Sequence, residues 1–471
     1  MSIEGEKQYY FRMTHAKVEQ RVTFSGSFMQ SFTSIGPMLD IVALFSAIAV
    51  YAGPYLGVVM LISFFSAMTT VYVIWNLSKR FQSNGGYYLF AGRTLGKGTG
   101  IFVSMVYAGY ALLVIPNIAL FASFFILHLL PIGSQFSTFF SYLVPLLFLF
   151  ILFGIISQGL GRSIKYTLGA GLVELLFVIV LDSLFLRNAT TFSFSIIPGN
   201  LSEVYSIFSG VVFGILAFAG MESPVYLSEN TKKSSSIVPK ALIYSYIATG
   251  VLLVISAFSI MSFLGSNGLS TYSSNPFFVG SSIHADFGNV VYVLFGTLAV
   301  LSSMNLCVAY SNSVLNEIRR MGEDGILPKV ATIKGRPVLI FLLLETAVIA
   351  TANFFLGNFL GFVVIAAIVS FSYMTVQLMG SLSLLKLSVK LREKKALIIA
   401  TLSVVIIGIT VVFSSIADLS PGSPTRSSII LFVTIVIASF LFSYLGRTKS
   451  REWYNSIHML NRLEEKETEG S

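Results

Sequence analysis

An all-α integral membrane protein with twelve transmembrane helices is the fold class this sequence predicts, and three observations carry it. Of its 471 residues, 55% are hydrophobic and only 11% are charged. A soluble protein carries roughly 25% charged residues, so this chain lacks the ionic groups to cover a water-facing surface. Twelve apolar runs, each near the ~20 residues that cross a bilayer, follow one another with short loops between them. Lys and Arg then alternate: 28 of the 30 fall in the tails and in every second loop, leaving only Arg187 and Arg426 on the opposite side. A missed or surplus helix would scramble that separation, because every later loop would change sides.

Taken in order, the first five spans are read at residues 27–51, 54–77, 99–130, 138–157 and 166–186. The next five lie at 204–226, 239–264, 288–318, 337–355 and 358–385, and two more at 396–416 and 427–446. The chain thus divides into an N-tail (1–26), a first five-helix repeat (27–186), a second, inverted one (203–388), two peripheral spans (395–446) and a C-tail (447–471). The positive-inside rule puts both tails in the cytoplasm. The net charge of +9 is then a cytoplasmic fringe rather than a nucleic-acid face. No apolar run precedes Phe28, so the first span is expected to insert and stay rather than be cleaved as a signal peptide. Cys307, the one cysteine, has no partner for an internal disulfide. His15, His128, His284 and His458 lack metal-ligand spacing, and no cofactor is expected.

Two spans carry helix breakers near their middle. Span 1 contains Ser34, Ile35, Gly36 and Pro37, and the proline removes a backbone donor and clashes with the preceding turn. Span 6 contains Phe218, Ala219, Gly220, Met221, Glu222, Ser223 and Pro224. Backbone groups freed in lipid must be satisfied by protein, water or ligand. Two interruptions five spans apart point to an inverted repeat with its binding site at the membrane midplane. Half-helix N-termini there attract anions and freed carbonyls attract cations, which suits a zwitterion.

An ionisable group deep in a span costs roughly 2.5 to 3.5 kcal/mol on insertion scales and marks a site by default. The candidates are Asp40 in span 1, Glu174 and Asp182 in span 5, Glu222 in span 6 and Glu345 in span 9. No Lys, Arg or His sits at a span centre to pair with them, as befits carboxylates that bind a proton or cation in turn; the alternative is a neutral carboxyl bonded to neighbouring backbone. In span 8, Ser302, Asn305, Ala309, Asn312 and Asn316 recur at helical spacing on one small, polar face. That face either lines a water-filled pathway or packs closely on another helix. The adjacent hydroxyls of Ser302 and Ser303 are able to coordinate a hard cation such as sodium.

The loops carry a resemblance. Span 2 leads into Ser83-Asn84-Gly85-Gly86-Tyr87-Tyr88. Span 6 is followed by Leu227-Ser228-Glu229-Asn230-Thr231-Lys232 and Val238-Pro239-Lys240-Ala241. After span 8 comes Met321-Gly322-Glu323-Asp324-Gly325-Ile326-Leu327-Pro328. In this order the segments resemble the amino acid/polyamine/organocation transporter superfamily over residues 28–390. The resemblance implies two inverted five-helix repeats with broken helices 1 and 6, two peripheral helices, and secondary transport of amino acids by alternating access. It implies that the substrate carboxylate meets Ser34, Ile35 and Gly36, and that its ammonium meets Ala217, Phe218, Ala219 and Gly220. Tyr107 and Asn305 join the substrate site. Leu216 stands where relatives often have a gating aromatic.

Glu174 aligns where several proton-coupled relatives place a lysine. A carboxylate beside the Ser302 and Ser303 hydroxyls is able to hold a proton or to coordinate sodium, so the coupling ion stays open, a proton before sodium, with exchange as the other mode. Glu174 is the first candidate for the cation, and Glu222, Ser302, Ser303 and Asp40 are further ones. No acid is expected to line the pocket, so neutral amino acids are favoured over polyamines. An organic-amine carrier or a carrier fold used as a nutrient sensor are the alternatives. A channel lacks support because no ring of repeated motifs occurs, and an enzyme because no nucleophile, metal set or acid/base pair lies at depth. The expected setting is the plasma membrane, as monomer or homodimer.

Overall fold

The computed structural model describes residues 22–129, 134–192, 196–275, 277–333, 335–419 and 426–459. Most of the expected N-tail (1–21, with His15) and the end of the C-tail (460–471) lie outside the described residues. Among the described residues the architecture is helical throughout, and the one β pairing is a parallel bridge between Val22 and Thr231. Nine of the described helices are long and apolar enough to cross a membrane. Where that differs from twelve expected spans, the backbone supplies the reason.

Span 1 is three pieces, α1 (Phe24–Ile35), α2 (Pro37–Val42) and α3 (Leu44–Ala52). Gly36 ends α1 at φ +71°, a left-handed conformation open to glycine without steric cost, and Pro37 starts α2. A short 3₁₀ turn, Gly53–Tyr55, joins α3 to α4 (Leu56–Arg80). Then come α5 (Gly86–Thr94), α6 (Lys97–Leu129), α7 (Ser134–Ile156) and α8 (Leu160–Arg187). Span 6 is also divided: α9 (Leu201–Leu216) stops at Ala217, and after a run of turns a 3₁₀ segment covers Ser223–Asn230. Next, α10 (Ser234–Ser274) leaves helical geometry at Gly265, and α11 (Phe278–Glu323) does so at Gly288.

The expected spans 9 and 10 are the two arms of α12 (Arg336–Leu391), 56 residues with a break between them. A straight helix of that length would reach about 84 Å against ~30 Å of hydrocarbon. Gly357 breaks it at φ +73°. The chain folds back there, since a Cβ added at Gly361 would sit 3.5 Å from that of Ala352. Finally α13 (Lys394–Leu419), α14 (Arg426–Lys449) and α15 (Arg451–Ser456) complete the chain.

The distribution of side chains is the reverse of a soluble protein's. Phe139, Phe150, Leu343, Phe354, Phe355, Ile398 and Ile430 are exposed, while Ser27, Ser31, Ser104, Ser163, Ser256, Ser302 and Ser381 are buried. Lipid supplies no hydrophobic drive between helices, so small and hydroxylated residues at close contacts take over. Many of those hydroxyls donate back to their own helix four residues earlier, as Ser34 does to Gln30 O (2.6 Å), Ser303 to Ala299 O (2.9 Å) and Ser370 to Ala366 O (2.7 Å). Within the bundle α11 packs on α1, α6 and α8, α10 on α1 and α4, and α12 on α6, while α13 and α14 lie against α12 and its neighbours.

Candidate functional site

The two breaks meet. Gly220, at φ +92°, brings its backbone so close to the first break that an added Cβ would lie 2.5 Å from Ser34 O. The Ser31 hydroxyl donates to Met221 O at 2.8 Å. The bridge at Val22 and Thr231 ties the same pieces further along, with Val22 N–H donating to Asn230 O at 3.1 Å.

Glu174 of α8 is buried beside the first break. Its Oε1 accepts from the Met38 N–H at 3.1 Å and from Ser302 Oγ at 2.6 Å, and its Oε2 accepts from Asn305 Nδ2 at 3.0 Å. Ser302 in turn accepts from the Leu39 N–H at 3.1 Å. The first turn of α2 is therefore fully engaged. Pro37 has no N–H, Met38 is taken by Glu174, Leu39 by Ser302, and Asp40 N–H returns to Gly36 O at 3.0 Å. A helix N-terminus favours an anion, and the protein's own carboxylate fills that position.

A cavity of about 70 Å³ lies next to the breaks. Ser34, Ile35, Leu39, Asp40, Ala43 and Leu44 form its wall on the first span, faced by Tyr110, Val114 and Asn117 of α6 and by Tyr310 of α11. Leu216 and Ala219 come from the second break, and Phe362, Ala366 and Val369 from α12. Asp40 thus lines the pocket, which corrects the expectation that no acid would: Leu39, Asp40, Ala43 and Leu44 share one face of the resumed helix. Glu174, Ser302 and Asn305 stand behind the break, outside the lining.

The other side of the breaks is closed. Gln30 Nε2 donates to Ser223 Oγ at 2.8 Å and to Ala309 O, and the Ser223 and Ser313 hydroxyls are 2.5 Å apart. Beneath them Tyr107 packs on Tyr110 and Tyr226, and Tyr373 donates to Glu222 Oε2 at 3.0 Å. Further out, Arg320 pairs with Glu229 (3.2 Å) and Asp324 (3.0 Å), and Tyr88 donates to Asp324 Oδ2 at 2.8 Å. Glu229 also accepts from Ser83 Oγ at 3.0 Å. Burial pushes the Asp324 carboxyl up to about 6, against the opposing pull of Arg320. The loops that follow spans 2, 6 and 8, put on one side by their Lys and Arg, meet here.

Of the expected site residues, Ser34, Ile35 and Ala219 line the cavity, while Ala217, Phe218, Gly220 and Tyr107 do not. Phe218 is buried against Phe64 and Tyr246. The polar face of α11 packs: Asn312 accepts from Ser163 Oγ at 2.8 Å, and Asn316 donates to Asn312 O at 2.8 Å. Ser303 turns back into its own helix and does not join Ser302 at Glu174. Asp182 accepts from Ser256 Oγ at 2.8 Å, and Glu345 lines a separate small cleft. No group of three or more His, Cys, Asp or Glu able to hold a metal occurs among the described residues. Glu317, also buried, escaped sequence reasoning because it sits near the end of a span beside Arg319 and Arg320, where an acid passes for a loop residue.

A helical, lipid-facing shell around a central cavity between two broken spans is the form of a multi-pass membrane transporter. Residues 22–440 match the amino acid permease family, and the chain belongs to that family. It is accordingly a transporter and not an enzyme, and the family implies an amino acid as its substrate. No curated protein matches the sequence.

Proposed function

We propose that the protein is a proton-coupled amino acid carrier of the plasma membrane that works by alternating access, and that Glu174 is its coupling group. Twelve crossings follow if α1–α3 form the first span, α9 with the segment to residue 230 the sixth, and the two arms of α12 the ninth and tenth. Spans 1–5 and 6–10 are then inverted repeats, and both tails are cytoplasmic by the charge of their loops. With that orientation the cavity faces outward, and the Gln30, Tyr107 and Arg320 contacts close the cytoplasmic side.

The observation that carries the reading is the hold of Glu174 on the first turn of α2. A substrate carboxylate seeks the same donors, so the two anions compete. Protonating Glu174 removes the competitor's charge and frees the Met38 N–H for substrate. Proton and amino acid then bind together, and by linkage each raises the other's affinity equally. The substrate ammonium turns to the carbonyls freed at the breaks. Release on the cytoplasmic side restores Glu174 to its three donors and resets the carrier.

In proteoliposomes Glu174→Gln, which mimics the protonated state, is expected to lose accumulation driven by an inward proton gradient while keeping part of its counterflow exchange. Ordinary gradient-driven accumulation by this variant would overturn the assignment. Substituting sodium for the proton gradient is expected to restore nothing.

A further inference from the structure

The first break leaves acceptors, not donors, without helical partners, two of them on the cavity-lining residues Ser34 and Ile35. In an unbroken helix the carbonyls of Thr33, Ser34 and Ile35 would receive the N–H groups four residues on. Pro37 has none, Met38 gives its own to Glu174, and Leu39 gives its own to Ser302. Next to these carbonyls lies Asp40. It is 3% exposed, its Oδ2 accepts no hydrogen bond, and it borders the cavity. The cavity lining holds no Lys, Arg or His. A buried carboxylate with neither donor nor base costs several kcal/mol, a cost relieved when a cation arrives in the cavity.

Resting on the carrier reading above, we propose that Asp40 is a specificity-determining residue that receives a cationic group on the substrate. The preferred amino acids are those with a second ammonium at the end of an apolar stem. Sodium is a poorer match, because a hard cation calls for about six oxygen ligands, whereas Ala43, Leu44, Val114 and Ile118 give the lining hydrocarbon walls. Those walls suit methylene groups, and the lone carboxylate suits the ammonium they carry.

The test is competition in proteoliposomes between lysine and norleucine, which keeps the four-carbon stem and carries hydrogen in place of the terminal ammonium. Wild type is expected to bind lysine at least ~10-fold more tightly, as a site built for a polar group rejects the analogue lacking it. Asp40→Asn is expected to bring the two close to parity. Equal affinity in wild type overturns the proposal, as does an unchanged ratio in Asp40→Asn. A ratio that changes only with sodium overturns it in favour of an ion site. Because the wild-type ratio needs no variant, the test holds even if Asp40→Asn fails to fold. Failure of every amino acid to bind would instead refute the carrier reading, whereas norleucine and other neutral amino acids binding as tightly as lysine would leave that reading standing and remove only Asp40's role.

Discussion

Gly220 shows how little room the crossing of the two breaks leaves. An alanine there would need a positive φ, which costs roughly 1–2 kcal/mol for an L-residue, and its Cβ would press on Ser34 O, a backbone atom with nowhere to go. Gly220→Ala is expected to lower thermal stability in detergent by at least that amount and to abolish uptake; a variant with normal uptake would show that the breaks need not touch. Glu174 was visible in the sequence as an acid in mid-span without a base. Its partners were only half visible: Ser302 and Asn305 stood out as a polar face, but nothing in the order of residues says that α8 delivers a carboxylate to the Met38 amide. Asp40 stood out in the same way as a mid-span acid, but its place on the cavity wall was hidden by the same limitation. Which face of a six-residue helix meets a cavity depends on where the chain resumes after Gly36, and that turn is set by tertiary contacts.

At the scale of elements, the end of α11 and the loops around it act as a latch. Arg320 stands between Glu229 and Asp324, all three buried. Replacing Arg320 with Met leaves two acids without that counter-charge, a loss of about 3–5 kcal/mol for a broken buried pair, to be read as a fall in melting temperature. The pH response comes from Asp324, whose carboxyl sits at about 6 in the fold against an ordinary 3.8. The folded state holds this proton more tightly than the unfolded one does, so the stability it contributes is full below about pH 4 and is lost as pH rises through about 6. Thermal melts across that window should show the decline in wild type and a flatter profile in Asp324→Asn. The breaks themselves were legible, because glycine and proline in mid-hydrophobe have few other uses. The turn between spans 9 and 10, read at residues 356–357, coincides with the break at Gly357, although a single glycine that folds one helix back on the other leaves almost no loop to read.

Over the whole molecule, alternation of Lys and Arg proved the most readable property, and the loops it grouped do come together. The C-terminal stretch joins them. Trp453 Nε1 donates to Gly325 O at 2.9 Å, His458 N–H to Asp324 O at 3.1 Å, and Lys97 Nζ to Tyr454 O at 3.0 Å. Trp453→Ala should loosen this end by about 2 kcal/mol, less than a fully buried tryptophan because Trp453 is partly exposed. Faster amide exchange across residues 320–326 would register it, and unchanged exchange would mean that the segment merely rests there. The serine-rich interior bears on how such a machine moves. A hydroxyl that already donates to its own helix can swing to a neighbour and back without ever losing a partner. Ser313, for one, lies 3.2 Å from Ser223 O across the interface and 3.3 Å from Ala309 O within its helix. Helices faced in this way can slide past one another as on a bearing, with low friction at each step, and the resistance to motion is left to the latch and the breaks.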